Sequence, residues 1–413
     1  MVAASEVQAV EGGDTASITR YLHRAFFSQL QWRCRGRIAP NREGLSFCAI
    51  LAKAMVAGKS YRNVARSVAR KLLLWSVRSV FVLVLLLTGL AVAGAIYQTI
   101  GNWRDARRFP QRGTSVQAGP VRLNIDCAGR GSPAVILDSG MGIPALGWMR
   151  VQPEVAKFTH VCSYDRAGYG WSDPGPEPRT SVQIANELKA LLDAAGEKGP
   201  FVLVGHSFGG FNIRVFAKQH PNDVVGVVLL DASHEDWEQR LDALLSPEAR
   251  ESMKRVENFG LSVQPYLIRF GIQRALVAAG VGMPSYASGD FFHEILYLEE
   301  QPKAVRALMS ENRAFAQSGA QARAAGNLGV RPLIVLTAGN QHDPISTSIM
   351  SKEEIDKQGT LWVHVLQPEL THLSTRGKQI IVQDSDHMIP FERPQAVVAA
   401  IHEVWSASIN SMR

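Results

Sequence analysis

Short apolar runs alternate with longer mixed segments through residues 115–410 of the chain. Runs of this length that are rich in Val, Ile and Leu are typical of buried β-strands. The segments between them, such as residues 182–195, have apolar positions at helical spacing. This alternation predicts an α/β fold with a mainly parallel sheet covered by helices on both faces. The predicted strands are 121–127, 134–138, 201–204, 227–230, 331–339 and 378–382.

A helical region interrupts this alternation between the strand that ends near residue 232 and the strand that begins at residue 331. No β-type run occurs there, and apolar residues recur at helical spacing. The pattern therefore predicts a separate helical layer. Its helices are predicted over 237–245, 247–258, 264–279, 290–298 and 303–325.

The longest apolar run covers residues 80–97, and no charged residue occurs between Arg78 and Arg104. A run of this length meets the roughly 18–20 residues that cross a bilayer as a helix. Tyr97 and Trp103 suit the membrane interface. We therefore predict a transmembrane helix over residues 79–100 and a membrane as a partner of the chain. A cleavable signal peptide is the alternative, although the long preceding segment argues against it.

The charge of the chain is unevenly distributed. Residues 1–112 carry 17 Lys and Arg against 5 Asp and Glu, whereas residues 113–413 carry 27 against 32. The net charge of +7 thus comes from the N-terminal part, and we expect no nucleic-acid partner. A slight excess of basic residues before the apolar run predicts that the N-terminus stays inside. The remainder would then lie on the extracytoplasmic side.

Residues 205–209 read Gly-His-Ser-Phe-Gly, which matches the pattern G-x-S-x-G. An apolar strand precedes the motif and a potential helix follows it, and this context is typical of a nucleophile elbow. The sharp turn would expose the Ser207 hydroxyl at the edge of the sheet. A serine hydroxyl needs a neighbouring base to accept its proton, and His387, in the loop after the last predicted strand, is the candidate.

The order of these motifs resembles the α/β-hydrolase family over about residues 115–410. Residues 164–173 resemble the family's D-R-x-G-x-G-x-S loop. Residues 134–142 resemble its strand and oxyanion loop, with Ser139 where relatives often have His. The resemblance implies a Ser–acid–His triad, and an oxyanion hole formed by the backbone N–H groups of Met141 and Phe208. It also implies that the helical region is a cap over the site.

Two residues compete for the acidic position of the triad. Asp343 follows the late strand and is preferred, although it lies four residues past Gly339 where relatives usually have three. Asp231, at the end of the preceding strand, is the alternative. Either carboxylate would orient the imidazole and stabilise its charged form. His206, beside the nucleophile, commonly has a packing role in the family.

The resemblance predicts a membrane-anchored serine esterase that acts on a small-molecule ester through an acyl-enzyme. An amidase or peptidase, a lactonase and an acyltransferase are alternatives on the same fold. A non-catalytic, membrane-tethered binding protein is a further alternative. No phosphate-binding glycine motif and no metal-ligand spacing occurs, so no cofactor and no metal are expected. The natural substrate and the oligomeric state remain open.

The predicted segments divide the chain into an N-terminal part and an interrupted core. Cys127 and Cys162 lie on two early strands that are usually neighbours in the family. Either a disulfide bond or two free thiols fits that placement. The segments are a basic N-terminal part (1–78), the transmembrane helix (79–100), a linker (101–114), the core in two parts (115–232 and 331–413) and the cap (233–330).

Overall fold

The computed structural model of the chain describes residues 61–281, 289–340 and 344–412. Its contacts divide the chain into two compact units, residues 1–90 and 91–413. The described part of the first unit is helical. The second contains an eight-stranded sheet, and everything that follows concerns this second unit unless stated otherwise.

The sheet has the strand order β1-β2-β4-β3-β5-β6-β7-β8. The pairs β1–β2 and β2–β4 are antiparallel, and the pairs from β4 to β8 are parallel. The predicted parallel α/β architecture is therefore confirmed. The strands are β1 (Thr114–Ala118), β2 (Val121–Ala128), β3 (Ala134–Asp138), β4 (Val161–Tyr164), β5 (Phe201–His206), β6 (Val224–Leu230), β7 (Leu333–Ala338) and β8 (Gly377–Val382).

The first helix, α1, runs from Tyr61 to Arg108. It extends beyond both ends of the predicted span 79–100, because the polar residues that flank the apolar run are also good helix formers. Among the described residues, it is the helix that is long and apolar enough to cross a membrane, and none of its most apolar window is buried.

The remaining helices lie between and after the strands. Thr180 caps one of them by accepting a hydrogen bond from the Gln183 backbone, and Gly196 ends it with φ of +78°. These helices are α2 (Gln152–Val155), α3 (Ser181–Ala195), α4 (Gly209–Gln219), α5 (Trp237–Leu244), α6 (Pro247–Arg269), α7 (Ile272–Ala278), α8 (Gly289–Glu299), α9 (Pro302–Arg313), α10 (Phe315–Ala325), α11 (Pro344–Ile349), α12 (Lys352–Leu361), α13 (Gln367–Thr371), α14 (Ile389–Glu392) and α15 (Pro394–Met412).

Helices cover both faces of the sheet. On one face, side chains of α3 and α4 pack against the central strands. On the other, Val397, Ile401 and Val404 of α15 pack against β5, β6 and β7. Because both faces are covered, β5 and β7 are buried along their whole length. The carboxyl ends of these strands then form the edge where loops can carry a site.

The helices α5–α10, residues 237–325, are inserted between β6 and β7; we call them the cap. The helical prediction for this region is confirmed, but two boundaries were wrong. Helix α6 continues through Pro265 to Arg269, whereas the sequence predicted a break. The predicted helix 303–325 is divided at Ala314 into α9 and α10.

Candidate active site

Ser207 lies between the end of β5 and the start of α4, and its φ is +53°. A non-glycine residue with this backbone conformation is strained and is often functional. A Cβ atom on Gly205 would lie 2.7 Å from the Gly209 carbonyl oxygen, and one on Gly209 would lie 2.5 Å from that of Asp138. Only glycines therefore fit on either side of the turn, as a nucleophile elbow requires.

His387 lies in the loop between β8 and α14. Its Nδ1 atom is 2.7 Å from Oδ2 of Asp231. The histidine side chain is 46% exposed and the aspartate side chain is 1% exposed. Among the described residues, none forms a hydrogen bond with Nε2 of His387. One ring nitrogen is thus bound to a buried carboxylate, and the other is free to accept a proton.

The surroundings of His387 favour its charged form. Desolvation lowers the pKa of His387, but the hydrogen bond and negative charge of Asp231, together with the charge of Asp386, outweigh it. The pKa of His387 therefore lies above its ordinary value of 6.5. This is the expected effect of a carboxylate paired with an imidazolium.

Three donors hold the Asp231 carboxylate in place. Its Oδ1 atom accepts hydrogen bonds from the Ala338 backbone at 3.0 Å and from Nε1 of Trp362 at 2.8 Å, and its Oδ2 atom is bound to His387. Asp231 itself has φ of +40°, which turns its side chain out of the line of β6. This constellation joins three separate parts of the chain around one carboxylate.

The sequence preferred Asp343 as the acid, but the residue beside His387 is Asp231, the alternative. Asp343 lies outside the described residues. Because Nδ1 of His387 is bound to Asp231, Asp231 is the candidate acid. Sequence reasoning also missed Trp362, because nothing in the sequence connects an indole to a carboxylate more than a hundred positions away.

His206 has a more specific role than packing. Burial, followed by the nearby positive charge of His387, lowers its pKa to about 3, so its ring is neutral. Its Nε2 atom is 2.9 Å from the backbone oxygen of His387. Since a carbonyl oxygen only accepts, Nε2 must donate. His206 therefore fixes the backbone of the loop that carries His387.

The two backbone N–H groups predicted for the oxyanion hole belong to Met141 and Phe208. Within the part of the chain that the structure describes, neither group has a hydrogen-bond partner. The adjacent Gly142 N–H donates to the Tyr169 hydroxyl at 3.1 Å. Met141 and Phe208 also belong to one apolar cluster. Unpaired N–H groups beside a nucleophile can stabilise a developing oxyanion.

Arg166 holds the loop that contains Met141. Its guanidinium donates to the backbone oxygens of Ser139 and Gly140 at 2.6 and 2.9 Å. It also pairs with the Asp138 carboxylate and, through two hydrogen bonds, with the Glu311 carboxylate. All three charged side chains are buried. Glu311 belongs to α9, so a cap residue contributes directly to the support of this loop.

Two groups of potential metal ligands occur among the described residues. In the first, which includes His160 and Glu197, both cysteines are bonded to each other in a disulfide, Cys127–Cys162. In the second, Glu369 pairs with Arg240 as well as with His234. Neither group includes Ser207, Asp231 or His387.

Comparison with known proteins identifies the family of this chain. Residues 135–400 match the family model described as "Alpha/beta hydrolase family". The chain belongs to that family. The matched range contains Ser207, Asp231 and His387, together with the whole cap.

Curated proteins that are similar to this chain match it at low identity or over short stretches. The uncharacterized protein YqjL of Bacillus subtilis is 23% identical over 281 residues, 68% of this chain and 86% of that protein. The 2-hydroxymuconate semialdehyde hydrolase of Pseudomonas sp. is 32% identical over 127 residues, 30% of this chain and 44% of that protein. The protein named "Probable transporter efuK" of Hormonema carpetanum is 37% identical over 109 residues, and this chain covers only 16% of its length.

Solved structures share the fold at low sequence identity. A candidate lipase from Acinetobacter baumannii has a TM-score of 0.51 at 17% identity, covering 76% of this chain and 97% of that one. A candidate acyltransferase from Salmonella enterica has a TM-score of 0.52 at 18% identity, covering 71% of this chain and 95% of that one. These likenesses show an α/β-hydrolase fold, and the fold suggests a hydrolase.

Proposed function

We propose that the protein is a membrane-anchored serine hydrolase that cleaves carboxylic esters. One observation carries the proposal: His387 binds the buried Asp231 through Nδ1 and leaves Nε2 free, in a fold whose nucleophile turn holds Ser207 with φ of +53°. This is the division of roles that a Ser-His-Asp triad needs.

The proposed reaction proceeds through an acyl-enzyme. Oγ of Ser207 attacks the ester carbonyl while Nε2 of His387 accepts its proton, and Asp231 stabilises the imidazolium. The N–H groups of Met141 and Phe208 bind the oxyanion. The alcohol then leaves with the proton from His387. A water molecule, deprotonated by the same nitrogen, attacks the acyl carbonyl; the bond to Oγ of Ser207 breaks, Oγ recovers the proton from His387, and the acid leaves.

The identity of the nucleophile supports ester-type substrates. Epoxide or haloalkane opening in similar folds uses an aspartate here, because an alkyl ester of the enzyme must form. A serine forms an acyl-enzyme instead. Amide hydrolysis, lactone opening and acyl transfer also pass through an acyl-enzyme. The substrate panel described below distinguishes them from ester hydrolysis.

Helix α1 supports the membrane part of the proposal. Its apolar side chains are exposed along the whole run 80–97 except near its end. An exposed apolar helix of this length is unstable in water and suits a bilayer.

Labelling with a fluorophosphonate probe tests the nucleophile. We expect the detergent-solubilised protein to react, and Ser207→Ala to abolish the reaction. Ser233→Ala is the matched control, because the Ser233 N–H lies 3.1 Å from the Ser207 backbone oxygen and yet has no proposed chemical role. Failure of the folded protein to react would remove the basis of the proposal. A panel of acyl esters, amides and lactones, with and without an added alcohol acceptor, then separates the four reactions.

A further inference from the structure

The cap contacts α1 at the end of its apolar run. A Cβ atom on Gly94 would lie 2.2 Å from the backbone oxygen of Phe270. In return, a Cβ atom on Gly271 would lie 2.9 Å from both the Gly94 oxygen and the Tyr97 ring. The turn between α6 and α7 is thus packed directly against the α1 backbone. Gly94 is three residues from Tyr97, or about 4.5 Å along a helix.

Polar contacts continue this junction beyond the apolar run. Arg274 of α7 is 2.6 Å from the Asp105 carboxylate and 3.3 Å from that of Glu300. The buried Gln98 side chain donates to Glu300 at 3.0 Å. These contacts fix the cap on α1. When residues 80–97 span a bilayer, the turn at Phe270 must lie at the boundary of its hydrocarbon core.

Exposed apolar side chains occur on the two cap helices that meet at this junction, α6 and α7. Phe259 is 68% exposed and Tyr266 is 62% exposed. Ile272, Leu276 and Val281 are also exposed. We call these five residues the interfacial face. On α6, Phe259 and Tyr266 are seven residues apart, and on α7, Ile272 and Leu276 are four apart, so each pair lies on one side of its helix.

The charge pattern of the same segment fits a membrane. Between Glu257 and Asp290 the chain has two charged residues, Arg269 and Arg274, and Arg274 is neutralised by the carboxylates of Asp105 and Glu300. The N-terminal half of α6, by contrast, is rich in charged residues. Arg269 is exposed, so the segment presents exposed apolar side chains with one cation, a combination that is characteristic of segments that insert into the interface of a bilayer.

Helix α8 connects the junction with the proposed site. Glu300, the residue after its C-terminal end, accepts a hydrogen bond from Gln98 of α1, and its Glu294 pairs at 2.7 Å with Arg112, four residues past the end of α1. Its inner side, through Ile295 and Leu298, belongs to an apolar cluster that also contains Met388, the neighbour of His387. Helix α8 therefore lies between the junction with α1 and the loop that carries His387.

A cleft of about 270 Å³ lies where α1 meets α7 and α8. Its lining combines apolar side chains, among them Ile100 and Leu296, and the rings of Tyr97 and Tyr297 with charged side chains of both signs: Arg104, Arg108, Arg274, Asp105 and Glu300. The aromatic rings and the charged side chains suit the headgroup region of a bilayer.

From these observations we infer that the interfacial face is seated in the bilayer leaflet on the side of the hydrolase domain, and that the substrate is an ester lipid taken from that leaflet. The inference rests on the proposed function, because it names the substrate class of the same site. The occupant of the face is the lipid bilayer itself, to which α1 attaches the cap.

The location of the face can be tested without activity. Full-length protein is placed in phosphatidylcholine nanodiscs with a phosphatidylcholine that carries a photoreactive diazirine in its acyl chain, and adducts are mapped by mass spectrometry. We expect adducts in residues 80–97 and in residues 256–281. Adducts in 80–97 with none in 256–281 would overturn the interfacial face. The absence of adducts in 80–97 would overturn the membrane anchor as well.

The substrate class needs two esters that share a leaving group. 4-Methylumbelliferyl palmitate in phosphatidylcholine vesicles is compared with the water-soluble butyrate. In the variant Phe259→Ser/Leu276→Ser, we expect turnover of the vesicle ester to fall about tenfold and that of the butyrate to change less than twofold. Val330→Ser is the matched control, because Val330 is apolar and 73% exposed but lies before the N-terminal end of β7, whereas the site is at the carboxyl ends of the strands. It should change neither rate.

Each other result has a distinct meaning. Equal loss of both rates, or loss of neither, would overturn the role of the face in taking up substrate. Wild-type protein that cleaves the butyrate but not the vesicle ester would overturn the lipid substrate. Failure on both esters, with no labelling of Ser207 by the fluorophosphonate, is failure of the proposed function, and the adduct map still decides the location of the face.

Discussion

All the hydrogen bonds of the Asp231 carboxylate serve to position it beside His387. One oxygen is held by the Ala338 backbone and Trp362, and the other is left for His387. A buried carboxylate that is held by three donors has a fixed position. It can therefore fix the tautomer of His387 and stabilise its charged form when the proton of Ser207 is transferred.

The first prediction concerns this carboxylate. Asp231→Asn should lower kcat by about 10³- to 10⁴-fold, because an amide cannot stabilise the imidazolium and favours the wrong tautomer. Asp343→Asn is the matched control and should reduce kcat less than about threefold. Both variants are compared on one soluble ester after their folding has been checked by circular dichroism. The reverse order of effects would return the acid to Asp343.

Only part of this site could be predicted from the sequence. Ser207 and His387 could be predicted because each lies in a short stretch of sequence whose residues determine the local backbone conformation. The acid is not local, because it is set by which strand end lies beside the His387 loop. In the sequence, several aspartates end or follow a predicted strand, and spacing alone cannot choose among them: Asp138, Asp165, Asp231 and Asp343.

The second prediction concerns the pH dependence of the base. His387 must be neutral to accept a proton, so kcat/KM should fall as the pH drops below its raised pKa. The charge of Asp386 contributes to that raised pKa. Asp386→Asn should therefore lower the pKa of His387 and move the acid limb of the profile to lower pH, by roughly 0.3–1 unit.

The exposed neighbour Asp384 provides the control for this shift. It is not among the groups that influence His387, so Asp384→Asn should leave the acid limb where it is. An acid limb that moved to higher pH in Asp386→Asn would contradict the electrostatic explanation. The profile is measured with a soluble ester at constant ionic strength, since salt screens such interactions.

At the scale of elements, helix α9 of the cap is linked through Arg166 to the loop that contains Met141. Glu311 binds Arg166 through both carboxylate oxygens and accepts a further hydrogen bond from the Tyr169 hydroxyl at 2.8 Å. Tyr169 in turn accepts from the Gly142 N–H. Movement of α9 would therefore be transmitted to the loop that contains Met141, whose N–H is proposed to bind the oxyanion. The sequence predicted the helix and the Arg166 loop, but it could not pair them, because the two are far apart in the chain.

The third prediction tests this connection. Glu311→Gln should lower kcat on a soluble ester about tenfold with little change in KM, because the oxyanion loop acts mainly in the transition state. Glu311→Ala should also cost about 3–5 kcal/mol in the free energy of unfolding, since it leaves a buried guanidinium with one carboxylate. Arg306→Gln, at an exposed position of the same helix, is the control. Lower stability with unchanged kcat in Glu311→Gln would make the network structural only.

At the scale of the whole molecule, the disulfide and the anchor bear on the same question of sidedness. Cys127 of β2 and Cys162 of β4 are directly opposite partners in an antiparallel pair and are bonded. Such bonds persist in oxidising compartments and are rare in the cytoplasm. The slight basic excess before residues 80–97 independently favours an inside N-terminus. Both features agree with a hydrolase domain on the extracytoplasmic side.

The fourth prediction uses the cysteines on the two sides of α1. In cells whose thiols are blocked during lysis, Cys127 and Cys162 should escape alkylation until a reductant is added, whereas Cys34 and Cys48 should be alkylated at once. Alkylation of Cys127 and Cys162 without reductant would contradict both the disulfide and an extracytoplasmic hydrolase domain. The same disulfide also stabilises the fold. Because the bond closes a loop with a sequence separation of 35, Cys127→Ser/Cys162→Ser should lower the free energy of unfolding by about 3–4 kcal/mol. Thermal unfolding in detergent, with the reduced wild type as control, measures that loss.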